Sequence, residues 1–179
     1  MITLDKMGYK NKNPHDAATA VDILNEINDT RSDKGIYLFG PPGCGKTYFA
    51  TLVLKTLFDI RYIKPFDLCD GTHCEWLGEG QYFEIFMKNY SALLIDDIGV
   101  EKDVNEFGIK SNPFADFINR FYVWKSNGNN YPLIFVTSNL TPDELVEKYG
   151  PRVFSRLKQL FTFAQFTGED KRKLKIIGG

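Results

Sequence analysis

Apolar residues along the chain alternate between two rhythms, short unbroken runs and longer stretches with helical spacing. The first helical stretch is "NPHDAATAVDILNEIND", where Asn13 can cap, Pro14 suits the first turn, and Ala17, Ala20, Val21, Leu24 and Ile27 recur at helical intervals. "KGIYLFG" follows as a buried strand, then "TYFATLVLKTLF" as a helix with Phe49, Leu52, Val53 and Leu57 on one face. "RYIKPF" reads as a short strand, "CDGTHCEWLGEG" as loop and "QYFEIFMKNY" as helix. "SALLIDDIG" is a second buried strand, and "NPFADFINRFYVWKSN" is a helix that turns Phe114, Phe117, Ile118 and Phe121 to the core. After the "SNGNN" loop, "YPLIFVTSN" is a third buried strand. "LTPDEL" then opens a helix: Thr141 and Glu144 form a capping box, Pro142 fits the first turn, and Leu140 with Leu145 forms a hydrophobic staple. "QLFTFAQF" supplies a last strand.

Strands that alternate with helices imply an α/β fold, a mostly parallel sheet covered on both faces. The 179 residues suit one domain with a full core. They divide into a polar leader over 1–13, a core over 14–170 and a basic tail over 171–179. No internal repeat or low-complexity segment interrupts this pattern.

A hydrophobic fraction of 43% and a charged fraction of 25% are those of an ordinary soluble globular protein. The net charge of −1 excludes a global basic field, so any nucleic-acid contact must be a local patch. Cys44, Cys69 and Cys74 are too few and too uneven for a disulfide framework and suit a reducing, cytoplasmic setting. The N-terminus has no apolar signal region, and no run of about 18 apolar residues occurs. Cys69, His73 and Cys74 lack a second cluster and match no common structural zinc spacing.

The candidate chemistry sits where strands end. "GPPGCGKT", residues 40–47, matches G-x-x-x-x-G-K-[ST] between a predicted strand and a predicted helix. Gly40, Pro41, Pro42, Gly43, Cys44 and Gly45 would curl backbone N–H groups around phosphate oxygens, and the helix beginning near Tyr48 adds its positive end. Lys46 would neutralise the β- and γ-phosphates of ATP, and the Thr47 hydroxyl would ligate Mg²⁺. Asp96 and Asp97 close the second strand at the edge where α/β sheets collect ligands. Asp96 is the candidate to hold Mg²⁺ through its water shell, and Asp97 to orient or deprotonate the attacking water. Asn139 ends the third strand and is placed to hold that water. Arg152 and Arg156 lie four residues apart on one helical face. Arginine suits the stabilisation of charge in phosphoryl transfer, and Arg156 is the stronger candidate to act on a neighbouring subunit. Tyr9 in the leader is a candidate to stack on adenine.

Together these segments resemble the AAA+ ATPases, and more narrowly the helicase-loader group that includes DnaC, DnaI and IstB. The resemblance rests on "LLIDDIG" with Glu101 two residues later, "INRFY", "VTSNLTPDEL" and "YGPRVFSRL", in that order, and spans roughly residues 14–170. It implies a P-loop NTPase with a five-stranded parallel sheet of order 5-1-4-3-2, its nucleotide at a subunit boundary. Asp96 and Asp97 match the Walker B pair, Asn139 matches sensor 1, and Arg156 matches the arginine finger. The resemblance further implies a slow ATPase stimulated by assembly or DNA. It would self-associate through the ATP site, bind single-stranded DNA and deliver a replicative helicase. The group's N-terminal partner-binding domain has no counterpart in this sequence. Little length remains for a helical lid, so Arg172 in "FTGEDKRKLKIIGG" is the candidate sensor-2 substitute. The basic run Lys171, Arg172, Lys173 and Lys175 is also a candidate for DNA phosphates.

Competing readings are an IstB-like transposition helper, a P-loop small-molecule kinase and a nucleotide-binding scaffold that barely hydrolyses ATP. The strand end "TSN" and the position of "SRL" after a capped helix argue against the kinase. Lys46, Thr47, Asp96 and Asp97, all present, argue against the scaffold.

Overall fold

The computed structural model describes residues 3–29, 33–57, 60–63, 83, 87–106 and 109–172. The "CDGTHC" segment, and with it Cys69, His73 and Cys74, lies outside the described residues. So does most of "QYFEIFMKNY", of which residues 87–89 are helical.

Five strands form the parallel sheet: β1 (Gly35–Phe39), β2 (Ile60–Ile63), β3 (Ala92–Ile98), β6 (Leu133–Ser138) and β7 (Phe161–Gln165). Their spatial order is β2-β3-β6-β1-β7, which is 5-1-4-3-2 when these strands are counted along the chain. The fold is therefore the α/β arrangement expected of a P-loop NTPase. A short antiparallel hairpin, β4 (Val104–Glu106) with β5 (Ile109–Ser111), comes after β3. It was not legible in the sequence, because three-residue strands leave no usable alternation.

The sheet is buried on both sides, which explains its unbroken apolar runs. One face carries α2 (Pro14–Asn28) and α3 (Lys46–Leu57), packed over Ile36, Leu38, Leu94 and Phe135. The other face carries two more helices, which we label α4 (Pro113–Ser126) and α5 (Pro142–Leu160). These cover Tyr37, Leu93, Ile95 and Val136.

Caps fix where the helices begin. Asn13 Oδ1 accepts from the N–H groups of His15 and Asp16, and Asn112 Oδ1 does the same for Phe114 and Ala115. The Thr141–Glu144 capping box is fully formed. The Thr141 backbone N–H and hydroxyl hold the Glu144 carboxyl below its usual range.

The predicted core face of α4 is the observed one, with Phe114, Phe117, Ile118 and Phe121 all buried. Two other faces are rotated from expectation. In α2 the buried residues are Asp16, Ala20, Ile23 and Leu24, and Val21 is exposed. In α3 they are Lys46, Phe49, Ala50, Val53 and Leu54, while Leu52 and Leu57 are only partly covered. Both stretches hold more apolar residues than one face can take, so spacing alone did not fix the rotation.

The stretch over 142–160 is also two helical segments, split at Gly150, and helix continues through Leu160 before β7 begins. At the N-terminus, α1 (Leu4–Met7) leads to Tyr9, and both Met7 and Tyr9 are buried against the α2–α3 face. No described helix is long and apolar enough to cross a membrane.

Phe121 is 1% exposed and touches the rings of Phe117, Tyr131 and Phe161. Phe121→Ala should cost about 3–5 kcal/mol of unfolding free energy, read as a lowered urea midpoint.

Candidate active site

β1 ends at Phe39 and the chain turns through residues 40–45 before α3 starts at Lys46. Backbone φ is positive at Gly40, Gly43 and Gly45, which bends the loop into a concave track. At Gly40 no side chain fits: a Cβ would stand 1.9 Å from the Phe166 carbonyl oxygen. The segment after β7 accounts for this closeness. Phe166 N–H donates to the Phe39 carbonyl at 2.8 Å, and Lys171 N–H donates to the Gly43 carbonyl at 3.0 Å. Asp170 packs on Gly43 and pairs with Arg172 at 2.9 Å. The hydrogen bonds from Arg172 hold the Asp170 carboxyl below its usual range.

The two acids are delivered by an irregularity in β3. Between the pairs Ile95–Val136 and Ile98–Ser138, β3 advances three residues while β6 advances two. Such a bulge re-aims side chains that would otherwise alternate between faces. Asp97 sits at this point with φ 63, the only described non-glycine residue with positive φ. As a result Asp96 and Asp97 both line one cavity.

A continuous set of hydrogen bonds joins the loop to both strand ends. Thr47 Oγ1 donates to Asp96 Oδ1 at 2.7 Å, and Thr137 Oγ1 donates to the same oxygen at 2.6 Å. The Thr137 hydroxyl in turn accepts from Asp97 N–H at 2.8 Å. Asn139 Nδ2 donates to Asp97 Oδ1 at 3.1 Å, and Asn139 Oδ1 accepts from Lys46 Nζ at 2.9 Å. Lys46 Nζ also donates to the carbonyls of Gly40 and Pro41, at 2.7 and 2.8 Å. Lys46 is only 6% exposed. Burial lowers its pKa from the ordinary lysine value, opposed by Cys44 and by the Asp97 and Asp96 carboxylates.

The cavity measures about 550 Å³, a volume suited to a nucleotide-sized ligand. Lys10, Lys46, Lys171 and Arg172 face Asp96 and Asp97 across it, so cations outnumber acids. Among the described residues no group of three or more His, Cys, Asp or Glu could hold a metal by itself. A cation here would rest on Asp96 and Thr47 and take its other ligands from water and phosphate, which is the habit of Mg²⁺. The glycine track, the surplus of positive charge and the paired oxygens fit a Mg²⁺–nucleoside triphosphate.

The expected residues separate into those the fold gathers here and those it does not. Pro42, Gly43, Gly45, Lys46, Thr47, Tyr48, Asp96, Asp97, Asn139 and Arg172 line the cavity, with Gly40 and Pro41 behind them as acceptors for Lys46. Tyr9 lines it too, stacked with Tyr48 at 6.0 Å between ring centroids. Cys44 is fully buried in the core beneath the loop. Arg156 lies elsewhere, in a groove with Arg120, Trp124 and Asn127. Its guanidinium donates to Asn119 Oδ1 and lies over the Tyr122 ring at 4.9 Å. Arg152 is exposed. Sequence reasoning missed Thr137, although a hydroxyl at the end of a buried strand beside two acids was a usable signal. It also missed Lys10 and Asp170 and gave Lys171 to DNA phosphates; only the folded segment after β7 and the leader bring these residues to the loop.

A phosphate loop on a parallel sheet, facing two strand-end carboxylates, defines a P-loop nucleotide-binding fold. Residues 36–165 match the family "ATPase family associated with various cellular activities (AAA)", and the chain belongs to that family. It is similar to a candidate primosome component from Streptococcus pyogenes serotype M3, with TM-score 0.60 and 20% identity, over 90% of this chain and 84% of that one. It is likewise similar to AMPPCP-bound DnaA from Aquifex aeolicus, with TM-score 0.62 and 16% identity, over 89% of this chain and 49% of that one. At these identities the likeness concerns the fold. The outer mitochondrial transmembrane helix translocase of Danio rerio is 31% identical over an alignment of 108 residues that covers 47% of this chain and 29% of the translocase.

Thr137 is 1% exposed and holds Asp96 with one side of its hydroxyl and Asp97 N–H with the other. Thr137→Val keeps the shape and leaves that amide without its acceptor. It should cost about 1–3 kcal/mol in urea unfolding, and Thr137→Ser should recover most of the loss.

Proposed function

We propose that this chain binds ATP with Mg²⁺ at the glycine track and hydrolyses it slowly, as an assembly switch in DNA replication of the helicase-loader kind. The observation that carries this reading is the unbroken hydrogen-bonded path from Lys46 through Asn139 and Asp97 to Thr137, Asp96 and Thr47. Every member has a role in phosphoryl transfer except Thr137, which positions the two acids. When bound, Mg²⁺ neutralises charge on the β- and γ-phosphates. Lys46 exchanges the Gly40 and Pro41 carbonyls for phosphate oxygens. Thr47 would ligate the cation, and Asp96 would hold it through its water shell. Asp97 accepts the proton of the attacking water, and Asn139, which already touches Asp97, holds that water in line. Arg172, beside the loop, contacts the phosphates from the opposite wall.

Arg156 acts in trans. Its groove is separate from the glycine track, which supports a role on a neighbouring subunit's phosphates rather than on its own. Turnover then depends on assembly because the γ-phosphate bridges two chains. The order of the motifs supports the loader reading, and so do the fold neighbours, a candidate primosome component and DnaA. A loader of this kind has a replicative helicase and single-stranded DNA as partners, the latter met by local basic residues such as Lys171 and Arg172.

The test is turnover and sedimentation across protein concentration, with and without single-stranded DNA. Lys46→Ala should lose nucleotide binding. Asp97→Asn should bind but turn over at least about a hundredfold more slowly. Arg156→Ala should bind normally as a monomer and lose the rise of specific activity with concentration. A rise that persists in Arg156→Ala contradicts the trans role, and phosphate release that requires an added acceptor favours a kinase.

A further inference from the structure

The end of β3 and the last turn of the helical segment before Gly150 meet at one buried carboxylate. Glu101 is 4% exposed. Its Oε2 accepts from Gly99 N–H at 2.8 Å, and its Oε1 accepts from the hydroxyl of Tyr149. Lys148 adds a second tie, donating to the carbonyls of Gly99 and Glu101 at 2.9 and 3.2 Å. Ser138 Oγ donates to the Ile98 carbonyl at 2.7 Å. The turn after Asp97 is therefore bonded on one side to the strand that ends in Asn139, and on the other to Lys148 and Tyr149.

These bonds end at a break in the helix. Gly150, the residue after Tyr149, has φ 82 and ψ 161, outside the helical region, and it divides α5 into two segments. Pro151 opens the second segment, where its missing N–H costs nothing. Val153, Leu157 and Leu160 anchor this segment in the core, and Arg156 projects from it toward α4. A glycine takes these angles without the strain another residue would carry, so the two segments can meet here at an angle a continuous helix does not allow. The Tyr149 ring packs edge-on to Phe114 at 5.3 Å, so its position is set by the core and its hydroxyl is free to report on Glu101.

A carboxylate is an expensive group to bury, and here the Gly99 amide and the Tyr149 hydroxyl offset that cost. Its two oxygens are used separately, one toward the Asp97 turn and one toward the hinge. We propose that Glu101 is a positioning residue that couples the Asp97 turn to the Gly150 hinge, so that occupancy of the phosphate site resets the segment bearing Arg156. This inference rests on the nucleotide-binding function proposed for the glycine track and adds the intramolecular route by which one subunit's site governs the arginine it offers to the next. A displacement of Asp97 on engaging nucleotide shifts the Gly99 amide, then the Glu101 carboxylate, then the Tyr149 hydroxyl. A purely structural staple would hold the same atoms together and transmit nothing.

The experiment is amide hydrogen exchange over residues 150–157 of the full chain, kept dilute enough to be monomeric, with and without AMPPCP and Mg²⁺. Wild type should change exchange in this segment by on the order of tenfold on binding. Tyr149→Phe, which keeps the ring and removes the hydroxyl, should bind AMPPCP normally and lose most of that change. Glu101→Gln should behave alike, and Arg156→Ala should retain the change, because the route ends at the hinge. A Tyr149→Phe response equal to wild type, or no response in wild type despite binding, overturns the coupling and leaves the ATPase reading standing. A normal coupling response alongside Arg156→Ala turnover equal to wild type overturns the trans arginine and leaves the coupling standing. Failure of wild type to bind AMPPCP removes the nucleotide reading and this inference with it.

Discussion

One oxygen atom, Asp96 Oδ1, holds three elements of this protein in register. It accepts from Thr47 at the start of α3 and from Thr137 near the end of β6, while belonging itself to β3. A carboxylate oxygen has room for two donors, and both here are hydroxyls whose positions are fixed by buried backbone. The phosphate loop is thereby tied to the strand ends. Remove the carboxylate, and the first turn of α3 keeps only the Lys46–Asn139 bond among these ties to the strand ends.

The same place shows how a regular sheet makes an irregular site. A parallel strand alternates its side chains, so consecutive acids should point to opposite faces. The extra residue in β3 breaks that rule, and the left-handed conformation at Asp97 is part of the result. Such backbone needs support from its surroundings. It receives that support from Thr137 on Asp97 N–H, from Ser138 on the Ile98 carbonyl and from Glu101 on Gly99 N–H. On the opposite wall Asp16, fully buried, accepts from Thr167 N–H at 2.7 Å and Gly168 N–H at 3.2 Å. It thereby fixes the segment that brings Asp170, Lys171 and Arg172 to the loop.

Much of this was legible in the sequence because the physics is local. A glycine-rich turn between a strand and a helix, two acids closing an apolar run, and a capping box each declare themselves within about ten residues. Asn139 met Lys46 and Asp97 as a strand-end amide should. The features that could not be read depend on contacts between distant parts of the chain. The burial of Asp16 on α2 was not foreseen, because its partners Thr167 and Gly168 lie far along the chain. Glu101 looked like the tail of a motif and proved to be a buried junction with Tyr149. The break at Gly150 was written in "YGPR", where glycine before proline ends a helix.

Central to the proposed chemistry is that Thr47 and Asp96, bonded to each other here, form the cation-holding side of a Mg²⁺–nucleotide site. Titration calorimetry of AMPPCP, with Mg²⁺ and with the metal chelated, on wild type and Thr47→Ala addresses it directly. Mg²⁺ should tighten binding to wild type, and Thr47→Ala should keep the metal-free affinity and lose most of the tightening. Equal affinity with and without Mg²⁺ in wild type, or the same Mg²⁺ effect in both proteins, would contradict it.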